Sequence, residues 1–431
     1  MYYIYSMKFK PTLHFLSNGI PVILDHMDIA TATMVLKFNT GPRNEGPDNT
    51  GITHFVEHML LKGTPLRPTL KAVFDFVKNH GGTIGAQTEH TKVSIDGRII
   101  AKNLPILADV IGDNIKNALF DADAIETEKS VILEEYMRYQ NDDNNNGYYF
   151  ITRNIFPNSH FPNDTLGNPD TIKSFTREQL LDWKDTRLSA SNAAIVISGK
   201  IIDRAKLLSD LERLFGWLPA RKIPAIPTPQ FKACAAHSDS LDKNTKITIC
   251  IKDKTSNDLE NHFQQMCISR FKSAFSARLF DTIRSQNGLT YGINTGYTGG
   301  AGVGANTIKT STAPKNAKKV MDLIADVAYD MTHKNLYTKE ELTLFKNGAM
   351  LADASMLESP AQRIGVLFDR WFSYGILFDW DDCMRISKRI TTGDVIESAK
   401  DIFDAPTSVI TQGAKVGPRA LRQIWLEKFK S

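Results

Sequence analysis

The 431-residue chain is short of several features that would assign it to a class. Its four cysteines, Cys234, Cys250, Cys267 and Cys383, all lie in the second half and form no CxxC pair. That disfavours a zinc ribbon or a dense disulfide framework and favours a reducing compartment. No apolar run approaches the roughly 18 residues of a membrane span, so no transmembrane helix is expected. The 52 basic and 48 acidic side chains leave a formal charge of only +4, which supplies no global field of the kind that drives nucleic-acid binding. The opening residues MYYIYSMKFKPTLHFL are interrupted by Lys8 and Lys10 and lack the pattern of a secretory signal. A cytoplasmic location is therefore expected, with a periplasmic one left open; neither nucleic acid nor membrane is an expected partner.

What is present is an ordinary globular composition, 42% hydrophobic and 23% charged, in a chain long enough for two to four packed units. The strongest punctuation is WLPARKIPAIPTPQF, residues 217–231, where four prolines in fifteen residues favour an extended connector. On either side of it the chain resembles itself. FTREQLLDWKDTRLSASNAAIVISGK, starting at Phe175, and ITTGDVIESAKDIFDAPTSVITQGAK, starting at Ile390, both read as a threonine cap, an amphipathic helix, a β-branched strand and a glycine. A weaker pair, IETEKSVILEEY from Ile125 and YTKEELTLFKNG from Tyr337, has nearly the same offset. Two pairs at nearly one offset around a proline-rich segment predict a duplicated domain. The division expected is residues 1–216, a linker at 217–231, and residues 232–431. Strand-like runs such as 20–24, 33–38, 194–197 and 246–251 alternate with helical stretches, so each half is expected to be α+β with helices packed on a sheet. Periodicity does not decide whether the strands run parallel.

One segment carries chemistry. In NTGITHFVEHMLLKGTP, residues 49–65, Asn49 or Thr50 can cap a helix that Gly63 and Pro65 stop. Apolar residues surround its axis, and His54, Glu57 and His58 project from one face at spacings of three and four. Two imidazoles so placed can share one ion while the carboxylate reaches a water on it, and the order H-x-x-E-H is the inverted zinc motif. Chance supplies roughly 0.01 such strings in a chain of this length. A third ligand is needed, and Glu128, Ile132 and Glu135 follow one another at helical spacings of four and three. Taken alone, that helix reads as an ordinary charged one with Glu134 and Glu135 solvated.

Together these residues resemble the pitrilysin and insulinase family, in particular the short type that includes the mitochondrial processing peptidase. The likeness runs through NGIPVIL, GPRNE, HFVEHMLLKGT, GGTIGAQTEHT, VILEEY, LGNPDTI and RSQNGLTYG in the expected order. It implies two homologous domains, each a mainly antiparallel sheet with packed helices, forming a clamshell. It implies one zinc ion per chain on His54, His58 and Glu135, with Glu57 as general base and Glu128 as accessory acid. It further implies that Arg284 and Tyr291 reach substrate from the second half; without the family, Arg284 ends a helix, Gly288 turns the chain and Tyr291 begins a strand. The segment around Gly85 and Ala86 corresponds to an edge strand onto which peptides add. Here Gly85 stands where the family usually has asparagine, so these two are only candidate substrate contacts, and His90 reads as a strand or loop histidine. The glycine-rich GYTGGAGVGANTIK lacks a phosphate-binding pattern and reads as a loop or hairpin. The function expected is a zinc-dependent endopeptidase acting on unfolded peptides, as a homodimer. The alternatives are a non-catalytic subunit of the same fold that assists a peptidase partner, and another zinc hydrolase.

Overall fold

β-Branched and apolar runs build two sheets. The computed structural model describes residues 9–140, 143–157, 159, 165–240, 242–253, 262–300, 303–377 and 379–429. The described chain divides into two compact units. Unit 1 comprises residues 1–145, 163–227 and 354–379; unit 2 comprises 146–162, 228–353 and 380–431.

Unit 1 contains β1 (Thr12–Phe15), β2 (Pro21–His26), β3 (Thr31–Phe38), β4 (Gly82–Glu89), β5 (Lys92–Ile100) and β6 (Ala193–Gly199). The sheet order is β1-β2-β6-β3-β5-β4. The β2–β6 pair is parallel and the others are antiparallel. β3 alternates as its sequence dictates. Ala32, Met34, Leu36 and Phe38 enter the core with helices Ile52–Leu60, Leu104–Asn117, Arg177–Arg187 and Arg204–Phe215. Lys37, on the opposite face, lies 5.3 Å from the Phe368 ring centroid, on helix Pro360–Tyr374. β6 is buried at every position, as a strand covered on both faces must be.

Unit 2 contains β7 (Ala235–Ser238), β8 (Thr245–Lys252), β9 (Ile293–Gly300), β10 (Val303–Thr312) and β11 (Thr407–Gly413), ordered β7-β11-β8-β10-β9. Among its described strands the one parallel pair is β7–β11. With β1 set aside, the two sheets have the same order and the parallel pair at the same place. β6 and β11 are the strands of the repeated segments read from the sequence. The mainly antiparallel α+β architecture is thus present twice. The described residues of the glycine-rich stretch lie on the facing arms of β9 and β10.

The units are not contiguous halves, because each includes a helix from the other half of the sequence. Helix Asp143–Ile155 follows the long helix Ala122–Gln140, and Ile151, Ile155 and Phe156 cover Cys250, Ala305 and Ile410 in unit 2. Helix Pro360–Tyr374 follows the long helix Lys339–Glu358 and covers the second face of the unit 1 sheet. There the buried Arg363 Nη1 donates to Asp25 Oδ1 at 3.0 Å, and the Ser198 hydroxyl donates to Asp25 Oδ2 at 2.6 Å. A sheet with two apolar faces needs two covers, and the sequence supplies the second at a distance. Residues 219–234 form neither helix nor strand, as their prolines require. No described helix is long and apolar enough to cross a membrane.

Candidate metal centre

The histidine helix spans Ile52–Leu60, and all its residues but Glu57 and His58 are buried. Its start differs from the expected asparagine or threonine cap. Gly51 is the N-cap, in left-handed conformation at φ 90°, and the buried carboxylate of Glu45 accepts from Gly51 N at 2.8 Å and Thr53 N at 2.9 Å. A carboxylate at this end satisfies free amides and suits the helix dipole. Gly51 packs against Gly167: a Cβ on Gly51 would stand 2.6 Å from Leu166 O and 2.8 Å from Gly167 Cα. Asn168 and Thr171 then hydrogen-bond to Thr50. The LGNPDTI segment therefore clamps the start of the helix. Beyond its end, Thr64 and Arg67 both bond to Asp113 Oδ2, at 2.6 and 2.7 Å.

The helix brings His54 Nε2 and His58 Nε2 within 3.1 Å of each other. The long helix Ala122–Gln140 brings Glu135 Oε2 to 3.8 Å from His54 Nε2 and 3.7 Å from His58 Nε2. A triangle with these sides has a point about 2.1 Å from every corner, the distance at which zinc takes nitrogen and oxygen ligands. Glu57 Oε2 is farther, 4.0 Å from His54 Nε2, and accepts from Thr88 Oγ1 at 3.3 Å. His54, Glu57 and His58 by themselves also form a group whose donor atoms lie within 4.8 Å of one another.

The hydrogen bonds behind the histidines suit metal ligation. Glu128 Oε1 lies 2.7 Å from His58 Nδ1, and Lys62 Nζ contacts its other oxygen. An ionised carboxylate only accepts, so His58 Nδ1 carries a hydrogen; in the neutral ring, the form that ligates a metal, Nε2 is then bare and faces His54. Burial, aided by His58, pushes the pKa of His54 down to about 3, which keeps the imidazole neutral as metal ligation requires. Burial also lowers that of His58, but the Glu128 hydrogen bond and the charges of Glu57, Glu128 and Glu135 outweigh it and leave the pKa raised. For Glu128, burial is overcome by the bonds from His58 and Lys62, and the pKa falls. Burial raises that of Glu57, against His58 and Thr88 and with the neighbouring carboxylates. Two facing imidazole nitrogens and the Glu135 carboxylate around one point, with the Glu57 carboxylate beside them, are a donor set that a divalent cation would satisfy.

Arg284 and Tyr291 lie together in unit 2. The helix His262–Leu279 runs into a widened turn, Phe280–Ser285, where Gln286 N reaches back to Asp281 O at 2.9 Å. Gly288 then takes φ 61°, and the Arg284 guanidinium rests 4.8 Å from the Tyr291 ring centroid and 4.7 Å from that of Phe280. Tyr291 is 87% exposed and precedes β9 by two residues. Thr290 and Thr312 hold its loop, the first bonding to Ser311 O at 2.8 Å and the second to Leu289 O at 2.6 Å. In unit 1, Gly85 and Ala86 sit on the edge strand β4, opposite Asp96 and Ile95 of β5. A Cβ on Gly85 would meet nothing within 4 Å. His90 follows β4, its pKa lowered to about 4 by burial and Arg43. The sequence reading missed Glu45, Lys62 and Thr88; Lys62 and Thr88 act on partners distant in sequence, and Glu45 reaches the helix start across an irregular turn that no regular spacing marks.

Fold and site together define a class: a duplicated α+β protein in which the first repeat groups two histidines with Glu135 and Glu57 as for a metal. The helix that follows β8 in the second repeat bears buried Cys267 and Arg270 instead. Residues 22–168 match the family model described as insulinase, peptidase family M16, and residues 174–348 match that described as the peptidase M16 inactive domain. The chain belongs to the insulinase (M16) peptidase family. It is 27% identical over 425 residues to an uncharacterized zinc protease of Rickettsia felis, covering 96% of this chain and 100% of that one. The mitochondrial-processing peptidase subunit beta of Dictyostelium discoideum is 28% identical over 186 residues, 43% of this chain and 40% of that one. The first half of the periplasmic protease PqqL from Escherichia coli shares the fold with a TM-score of 0.82 at 18% identity, covering 98% of this chain and 97% of that one.

Proposed function

We propose that the chain is a zinc-dependent endopeptidase that hydrolyses unfolded peptides or oligopeptides. The observation that carries this reading is the triangle of His54 Nε2, His58 Nε2 and Glu135 Oε2, with Glu57 beside it. These three residues would hold one zinc ion per chain. When bound, the ion brings the pKa of a water toward neutrality and polarises the peptide carbonyl. Glu57, kept off the triangle by its bond to Thr88, accepts the proton from the attacking water and returns it to the departing amine. Its raised pKa suits a base that must also act as an acid. Glu128 orients His58. Arg284 and Tyr291 bind the scissile carbonyl region and stabilise the negative charge that develops there. The substrate adds as a strand along β4, beside Gly85 and Ala86, and so is selected for extended conformation.

The working assembly proposed is a homodimer in the cytoplasm, with residues 1–216 as the metal-bearing domain and 232–431 as its completing homologue. The periplasm is the alternative compartment, since the fold is shared with a periplasmic protease. The match of residues 174–348 to a domain described as inactive favours one second reading, a non-catalytic subunit assisting a peptidase. Metal analysis of the purified protein, joined to mass spectrometry of unstructured peptides before and after chelation, separates the two. Stoichiometric zinc with chelator-sensitive cleavage supports the enzyme; a metal-free, inactive protein overturns it.

A further inference from the structure

The carboxylate behind the site is held from two sides. Glu128, 3% exposed, uses Oε1 for His58 Nδ1 at 2.7 Å and Oε2 for Lys62 Nζ. Lys62 lies one turn beyond His58, just past the end of the histidine helix, where its backbone N donates to Met59 O at 3.2 Å. Its side chain is 24% exposed, so the ammonium is partly withdrawn from water and pairs across the gap to the long helix. The result is a chain of contacts, Lys62 to Glu128 to His58, in which every link but the last belongs to groups outside the metal triangle.

We propose that Lys62 is a positioning residue of the metal centre: it anchors Glu128 so that the carboxylate fixes the tautomer and ring orientation of His58. The proposal rests on the zinc reading above. The physical reason is geometric. A carboxylate can rotate about its terminal bond, and a single hydrogen bond to an imidazole does not stop it. A cation on the second oxygen does, and it also compensates a buried negative charge. With Glu128 fixed, the Nδ1 hydrogen of His58 has one direction in which to donate, and Nε2 is left to face His54 and Glu135. Partners of this kind, one step removed from a metal, typically govern affinity by 10–100-fold. A bland role is also available to Lys62, as a tie between two helices that adds stability and nothing more.

The test is zinc affinity of the purified full chain, measured by competition with a chromophoric chelator, alongside thermal unfolding of the zinc-free form. Lys62→Met is expected to weaken zinc binding by about 10–100-fold, and Lys62→Arg, whose guanidinium still reaches a carboxylate, to recover most of it. In a Glu128→Gln background, Lys62→Met should cost little further, because both changes break the same link. Zinc affinity unchanged in Lys62→Met, with only a lower melting temperature, overturns the proposal, as does a full, additive loss in the Glu128→Gln background. Should Lys62→Met not fold, Lys62→Gln answers the same question. Absence of stoichiometric zinc in the unsubstituted protein overturns the underlying reading, and this proposal with it; that outcome is distinguishable because it needs no variant.

Discussion

Replacing Glu57 by glutamine separates proton transfer from metal binding. The substitution keeps the side chain's size and an oxygen that can accept from Thr88, which stands 3.3 Å away. It removes the basic carboxylate from a place 4.0 Å from His54 Nε2, outside the 3.1, 3.7 and 3.8 Å triangle. Zinc content should therefore stay at wild-type stoichiometry. Loss of a general base typically costs 10²–10⁴-fold in rate, about 3–5 kcal/mol of activation free energy. Single-turnover cleavage of an unstructured peptide, followed by mass spectrometry with zinc measured on the same sample, reads both quantities. Stability supplies an independent check on metal-free protein. Burial raises the folded pKa of Glu57 above its ordinary 4.5, so between those values the folded state holds a proton that the unfolded state has lost. Wild-type stability accordingly falls as pH rises through that window. Glu57→Gln removes the loss and should be the more stable form at neutral pH. Undiminished cleavage by zinc-loaded Glu57→Gln would refute the assignment. Loss of zinc in Glu57→Gln but not in Glu135→Gln would show that the two glutamates had been given each other's roles.

Burial holds His54 neutral down to about pH 3, whereas the unfolded imidazole takes up a proton near 6.5. Metal-free stability should therefore fall with acidification from about 6.5, and denaturant midpoints from pH 7 to 5 should show a smaller fall in His54→Gln; equal slopes would count against the burial argument. Gly51→Ala places a methyl 2.6 Å from Leu166 O at φ 90°, a strain of about 1–3 kcal/mol, or a melting temperature lower by roughly 2–4 °C per kcal/mol. Gly85→Ala meets nothing and should change stability by less than about 0.5 kcal/mol, so calorimetry of the two tests the clamp on the histidine helix. Tyr291→Phe removes the hydroxyl of an 87% exposed ring and should leave melting unchanged while lowering kcat on the order of 10²-fold; an unaltered kcat removes Tyr291 from the proposed machinery.

The sequence by itself determined the parts that depend on short spacings. His54, Glu57 and His58 share a face because three and four residues are one helical turn, and Glu128 and Glu135 share one for the same reason. The duplication was legible because repeated segments such as those ending in β6 and β11 keep their order of cap, helix and strand. Nothing local marks which distant groups meet. Tertiary structure alone decided that Glu45 caps the histidine helix, that Gly51 nests on Gly167 and that Lys62 and His58 share Glu128. It alone decided that each compact unit takes a helix from the other half of the chain, with Arg363 buried against Asp25. Such contacts follow from which apolar faces need covering and which buried charges need partners, and those demands arise only once the sheets have formed.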